Sequence, residues 1–262
     1  VDPILACYMR VTMSESTKQL YPVHFWDEMN SQSPKFRRKF SRYRQFSKTT
    51  MDQFLNADEM KDALVLEANY MQSAFIENKG NGKFELKSLP VQAQVAPVNG
   101  MIADDVNGDG NLDVILIGND YGNEVFIGRY DALTGLVLLG DGKNNFKAVT
   151  SSKSGFYVSG DGKGLAKLSG AKTDLFIATQ NSDSLCVFKP HRELDQYVFK
   201  PEVLDTFAEL VFNDGRKQRI EFTYGSGYLS QSTRKIRIPS NVNEVNVYNS
   251  KGEVRKIVVK GS

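Results

Sequence analysis

A chain of 262 residues with 40% hydrophobic and 24% charged content has the makeup of a globular protein, with no apolar run long enough to cross a bilayer as a helix. Thirty-three basic against 31 acidic residues, a net charge of +2, give no global attraction for nucleic acid or anionic membranes, so any such partner needs a local patch. The two cysteines, Cys7 and Cys186, each sit in an apolar stretch and are expected as small buried hydrophobes; two cysteines decide nothing about redox compartment.

In chain order, residues 1–12 read as a strand, and no basic segment followed by an apolar one precedes it, so no signal peptide lies within the sequence. The aromatic cluster around Trp26, Tyr21-Pro22-Val23-His24-Phe25-Trp26-Asp27-Glu28, reads as a loop. Rings beside carboxylates stack on sugars or anchor a protein partner, although core packing of Trp26 is the commoner outcome.

Residues 31–61 read as helical. Ser33 before Pro34 is a helix start, and Phe36, Phe40, Tyr43 and Phe46 recur at three- and four-residue steps that would share one face. The same stretch carries the strongest local charge, residues 35–44, with Arg37, Arg38 and Arg42 between aromatics. Such a pattern grips polyanions, nucleic acid included, or a partner protein; its bland form is an amphipathic helix with arginines in water. Asn56 is expected to cap a second short helix over 56–61.

From Ala63 the texture becomes β. The runs 64–68, 73–77 and 84–86 are expected as strands, with a turn over 78–82, and glycine-rich turns then recur to the end of the chain. The chain also repeats itself weakly. Asp2, Asp113 and Asp174 each open a mostly apolar strand, Gly100-Met101-Ile102-Ala103 parallels Gly164-Leu165-Ala166-Lys167, and turns ending in Phe84 and Phe146 recur. Such units of about sixty residues suit blades of a β-propeller. Three or four blades' worth of sequence is too little for the usual closed ring, and Asp2 resembles the last residue of a loop lacking its earlier ligands. The expectation is therefore the C-terminal part of a longer protein.

The most specific motif is Asp105-Val106-Asn107-Gly108-Asp109-Gly110-Asn111-Leu112-Asp113, with oxygen side chains at alternate positions and glycine sixth. A hard cation such as Ca2+ takes six to eight oxygens, and Asp105, Asn107, Asp109, the Asn111 carbonyl and Asp113 are the candidate ligands. An EF-hand would need a glutamate at the twelfth position, which here is Leu116. In the next repeat, residues 168–174 keep only the final Asp174, so that unit is expected to be metal-free, with Lys172 near the space of the cation.

These features together resemble the FG-GAP or VCBS-repeat propellers related to the integrin α-subunit head, in their Bacteroidetes-type form. The matches are Val1-Asp2-Pro3-Ile4-Leu5, Asp62-Ala63-Leu64-Val65-Leu66-Glu67-Ala68-Asn69, the nine-residue loop, Ile127-Gly128-Arg129-Tyr130-Asp131-Ala132 and Gly140-Asp141-Gly142. The tail, with Phe207-Ala208-Glu209-Leu210, Asp214-Gly215-Arg216 and residues 224–232, is similar to the ASPIC and UnbV C-terminal domain. The resemblance implies a mainly all-β chain: partial-propeller blades over 1–190 with a helical insertion near 31–61, then a small β domain over 191–262. It further implies export, to the cell surface or as a lipoprotein.

No nucleophile elbow, zinc-binding His pair or phosphate-cradling loop is present, and Gly160-Asp161-Gly162-Lys163-Gly164 reads as a blade turn. The expected function is a non-enzymatic binding, adhesion or assembly module with structural Ca2+ and a protein or glycan ligand. The alternatives are an envelope hydrolase acting on glycans or phosphodiesters, and a polyanion binder using residues 35–44.

Overall fold

The structure, a computed structural model, describes residues 4–10, 16–123, 125, 128–191 and 197–258. The strand start at Val1, Asp2 and Pro3, the loop role of Asp2, and Ile127 of the quoted motif lie outside those residues. The chain is mainly β, and among the described residues none of its several sheets closes on itself. It divides into two compact units, Val1–Tyr70 and Met71–Ser262.

The first unit holds a hairpin of β1 (Ala6–Arg10) and β2 (Ser16–Pro22), then five short helices: α1 (Trp26–Gln32), α2 (Pro34–Lys39), α3 (Tyr43–Phe46), α4 (Met51–Phe54) and α5 (Ala57–Met60). Helix therefore begins before residue 31, at Trp26, and is broken repeatedly. Ser33 precedes a proline and is held extended at φ −153°, its hydroxyl accepting from the Lys35 amide; Phe40 and Arg42 are extended as well. Asn56 caps α5 as expected, accepting from the Glu59 amide. The breaks let the chain wrap its aromatics around Phe54, whose ring stacks on Phe36 at 4.8 Å and Phe40 at 5.7 Å and meets Phe46 edge-on at 5.9 Å. Tyr43, expected on that face, is 58% exposed, because the break at Phe40 and Ser41 turns α3 away from α2.

Residues 64–68 form no strand. Leu64 and Leu66 are 84% and 82% exposed, and among the described residues no strand pairs with this run, so its β-forming side chains have no ladder to join.

In the second unit, β3 (Ala74–Gly80) and β4 (Lys83–Ser88) form a hairpin whose turn precedes Phe84. A four-stranded antiparallel meander follows: β5 (Val98–Asp104), β6 (Asp113–Gly118), β7 (Leu136–Gly140) and β8 (Phe146–Val149), in that spatial order. After the short α6 (Ser151–Ser154) comes a three-stranded sheet of β9 (Gly162–Ser169), β10 (Asp174–Gln180) and β11 (Cys186–Phe188). Gly162 to Gly164 thus open strand β9 instead of turning between strands.

The meander is covered on both faces, which explains why β6 reads as a continuous apolar run. Ile115 and Ile117 meet Leu165, Phe176 and Ala178 of the neighbouring sheet, while Leu116, Leu136 and Leu138 enclose a second core with Ala93 and Leu133. The repeat is visible in the registers: Asp104 pairs with Asp113 and Ser169 with Asp174, so both aspartates open the second strand of a hairpin.

The last part contains β12 (Tyr197–Phe199), β13 (Asp205–Phe212), β14 (Lys217–Glu221), β15 (Ile236–Ile238), β16 (Val242–Asn249) and β17 (Val254–Val258). Strands β14-β13-β16-β17 make one sheet and β12-β15 a ribbon, sharing a core of Phe199, Leu210, Phe212, Phe222, Ile238 and Val245. Cys7 is exposed and Cys186 half-buried; both are free thiols, so neither is the fully buried hydrophobe expected.

Candidate metal centre and the arginines beside it

The loop over 105–112 joins β5 to β6, and a hairpin so rich in glycine and Asx side chains folds by hydrogen-bonding its own backbone. Asp105 accepts from the amides of Gly108 (2.6 Å) and Gly110 (3.1 Å), Asn107 Oδ1 from Asp109, and Asp109 Oδ1 from Asn111. Gly108 and Gly110 sit at φ +83° and +86°, the left-handed region where a side chain would strain the loop.

Asp113 closes the arrangement and is fully buried. Its Oδ1 accepts from the Gly140 amide at 2.9 Å and its Oδ2 from Val106 at 3.0 Å and Asn107 at 3.3 Å, tying β7 to both ends of the loop. Gly140 is required for this approach, since a Cβ there would lie 2.2 Å from the Leu112 carbonyl oxygen. Burial pushes the Asp113 carboxyl above its ordinary range, against the three amide donors, and the charge of Asp109 adds to the rise. For Asp109 burial also pushes upward, but hydrogen bonds from Asn111 and Asn107, with the Arg216 guanidinium nearby, hold it below the ordinary range.

The donor set of Asp105, Asn107, Asp109, the Asn111 carbonyl and Asp113 is all oxygen and fits a hard cation. Among the described residues no three acidic, histidine or cysteine side chains converge as a metal cluster. The carboxylates are turned onto backbone amides. Each carboxylate oxygen carries two lone pairs, so one amide hydrogen bond leaves an oxygen able to take a cation as well.

Both aspartate hairpins receive an arginine from the last 60-odd residues of the chain. Arg216, in the Asp214-Gly215-Arg216 turn between β13 and β14, lies over the Phe212 ring and places Nη1 3.5 Å from Asn111 Oδ1. At the other hairpin Arg237 of β15 donates to Asp174 Oδ1 from Nε at 3.1 Å and Nη2 at 3.0 Å, and Nη2 also donates to the Gly170 carbonyl at 2.8 Å. Arg237 and Asp174 are 6% and 2% exposed. The cation at the degenerate loop is thus Arg237, and Lys172, expected there, is exposed. The reason is reach: a guanidinium delivered from β15 satisfies a buried carboxylate and a carbonyl together.

Between these arginines, residues 230–233 cover the free edge of β9. Ser230 donates to the Leu165 carbonyl, the Thr233 amide to the Lys167 carbonyl, and Ser232 and Thr233 accept from the amides of Lys167 and Ser169. An edge strand is thereby capped without a further strand. Arg216, Arg237, Ser230, Ser232 and Thr233 were missed as site residues; the Asp-Gly-Arg turn and the Ser-rich 226–232 run were their only sequence signals.

In the first unit, Trp26 is half-buried, donating its indole N–H to the Phe40 carbonyl at 2.9 Å with its ring centroid 4.5 Å from that of Tyr43. It packs within the helical cluster. The basic run divides by chemistry: Lys35 and Lys39 pair with Glu59 at 2.8 and 2.9 Å, whereas Arg37, Arg38 and Arg42 are exposed. Hydrogen bonding from Lys35, helped by the Asn56 amide and Lys39, holds Glu59 down to about 2.

A depressed carboxylate stabilises the folded state above its unfolded pKa and loses that contribution as pH falls through its folded one. The expected result is a loss of stability in the first unit between about pH 4.5 and pH 2, reduced in Glu59→Gln. Trp26, the chain's single tryptophan, lies in that unit, so acid titration of its fluorescence measures the transition.

No helix of the described residues is long and apolar enough to cross a membrane. Compared with known proteins, the chain matches no family model and no curated protein.

Proposed function

We propose that the chain is a calcium-stabilised, non-enzymatic binding or assembly module of an exported protein, built from β-propeller blades and a small C-terminal β domain. The observation that carries this reading is the Asp105 to Asp113 hairpin at the head of a four-stranded meander sandwiched between two cores. A cation there would be held by Asp105, Asn107, Asp109, the Asn111 carbonyl and Asp113. Its chemistry is structural: it would neutralise carboxylates gathered in one turn. The assignment to propeller blades draws on the paired hairpin registers at Asp113 and Asp174, and on the packing of one sheet face against the next. Export and a protein or glycan ligand at the cell surface follow from the family resemblance.

The test is thermal unfolding of the full chain with calcium, with magnesium and with chelator. At about a hundred times its dissociation constant calcium adds roughly 2.7 kcal/mol, a rise of about 5–10 °C in the second unit. Asp109→Ala is expected to abolish the rise and to lower the chelated melt only slightly, because Asp109 is exposed and its loss removes only surface hydrogen bonds from Asn111 and Asn107. An equal rise with magnesium, or none with either ion, would remove the reading's support.

A further inference from the structure

We propose that the cleft between the β5–β8 meander and the β9–β11 sheet binds a long-chain aliphatic carboxylate. The two sheets share a core at Ile117, Leu165 and Ala178, but towards β8 and β11 they leave an open cavity of about 530 Å3. That size falls within the ~300–1,000 Å3 range of small-molecule sites.

Its walls are apolar from both sides, with Ile115, Val137 and Leu139 from one sheet and Phe176 and Phe188 from the other. Phe156, after α6, closes a third side, and its ring lies 4.5 Å from that of Phe188. Water in such a space finds few hydrogen-bond partners, so an aliphatic chain that replaces it gains apolar contact on three sides.

The polar part of the lining fixes the head group. Lys189 and His191, both exposed, follow β11 and complete the wall, while among the described residues no carboxylate lines the cleft. The third polar side chain, Ser154, already accepts from the Phe156 amide at 3.2 Å. An ammonium and an imidazole beside an apolar slot select a molecule with one anionic end and one long apolar end. The inference does not require calcium, although Val106 of the β5–β6 loop also lines the cleft.

The probe is a conjugated polyene fatty acid, cis-parinaric acid, titrated into the full chain below its micelle concentration. Saturable one-to-one binding with enhanced emission is expected, displaced by palmitate and at least ten-fold less effectively by hexadecanol. Val149→Trp, at a half-buried lining position paired with Val137, places an indole in the cleft and should weaken binding at least ten-fold in a protein that still melts cooperatively. Lys189→Glu tests the head group separately and should weaken the carboxylate while sparing the alcohol. Absence of saturable binding, or affinity unchanged in a folded Val149→Trp, would overturn the site. Equal displacement by the alcohol, or no effect of Lys189→Glu, would overturn the carboxylate assignment.

Discussion

Replacing Arg237 by alanine is expected to destabilise the second unit by about 3–5 kcal/mol, the cost of leaving a buried carboxylate without its partner. Asp174 is 2% exposed, and both of its contacts to Arg237 go through one guanidinium fork that also holds the Gly170 carbonyl. Lysine at this position keeps the charge but not the fork, and should recover only part of the loss. The double variant Arg237→Met with Asp174→Asn removes both charges together and should lie nearer the parent than Arg237→Ala does. Urea unfolding of the four proteins measures this directly. A loss under about 1 kcal/mol in Arg237→Ala would mean that the pair is solvent-screened and that the two parts it joins are held otherwise.

The second large effect is at Asp113. Alanine there removes the acceptor for three backbone donors, those of Val106, Asn107 and Gly140, in a position with no exposure to water. Buried unpaired donors and the lost loop closure together should cost about 2–4 kcal/mol, with or without calcium. The contrast with Asp109 matters: Asp109→Ala should act mainly through the cation, losing besides only the exposed hydrogen bonds from Asn111 and Asn107, whereas Asp113→Ala acts strongly through the fold. Amide hydrogen exchange distinguishes them, because in Asp113→Ala the Gly140 and Val106 amides should lose protection even under chelator. Equal protection in both variants would mean that Asp113 is not the residue that closes the loop.

The aspartate-opened strands were legible in the sequence because a repeated hairpin needs the same residue at the same register position, and Asp113 and Asp174 occupy it. The turns before Phe84 and Phe146 were legible for the same reason: glycine and asparagine mark tight hairpins locally. The breaks over 33–42 were only half visible. Pro34 announces the first, but the extended Phe40 follows from its burial against Phe54, a tertiary contact.

Residues 64–68 have strand composition and no strand, since composition does not supply a partner edge. The arginine contacts were the least legible part. Arg216 meets a residue 105 positions away and Arg237 one 63 positions away, and nothing in the spacing of either arginine marks its target. A charge that serves a distant buried carboxylate looks, in the sequence, like any surface arginine.

Calcium titration of the full chain by isothermal calorimetry, in parent and Asp109→Ala proteins, tests the central claim most directly. The proposal predicts one site per chain with a dissociation constant of about 10⁻⁴–10⁻³ M, the range of extracellular calcium modules, and no measurable heat in Asp109→Ala. No saturable binding in the parent up to ten millimolar, or identical binding in the variant, would contradict it and leave 105–113 a hydrogen-bonded turn closed by Asp113.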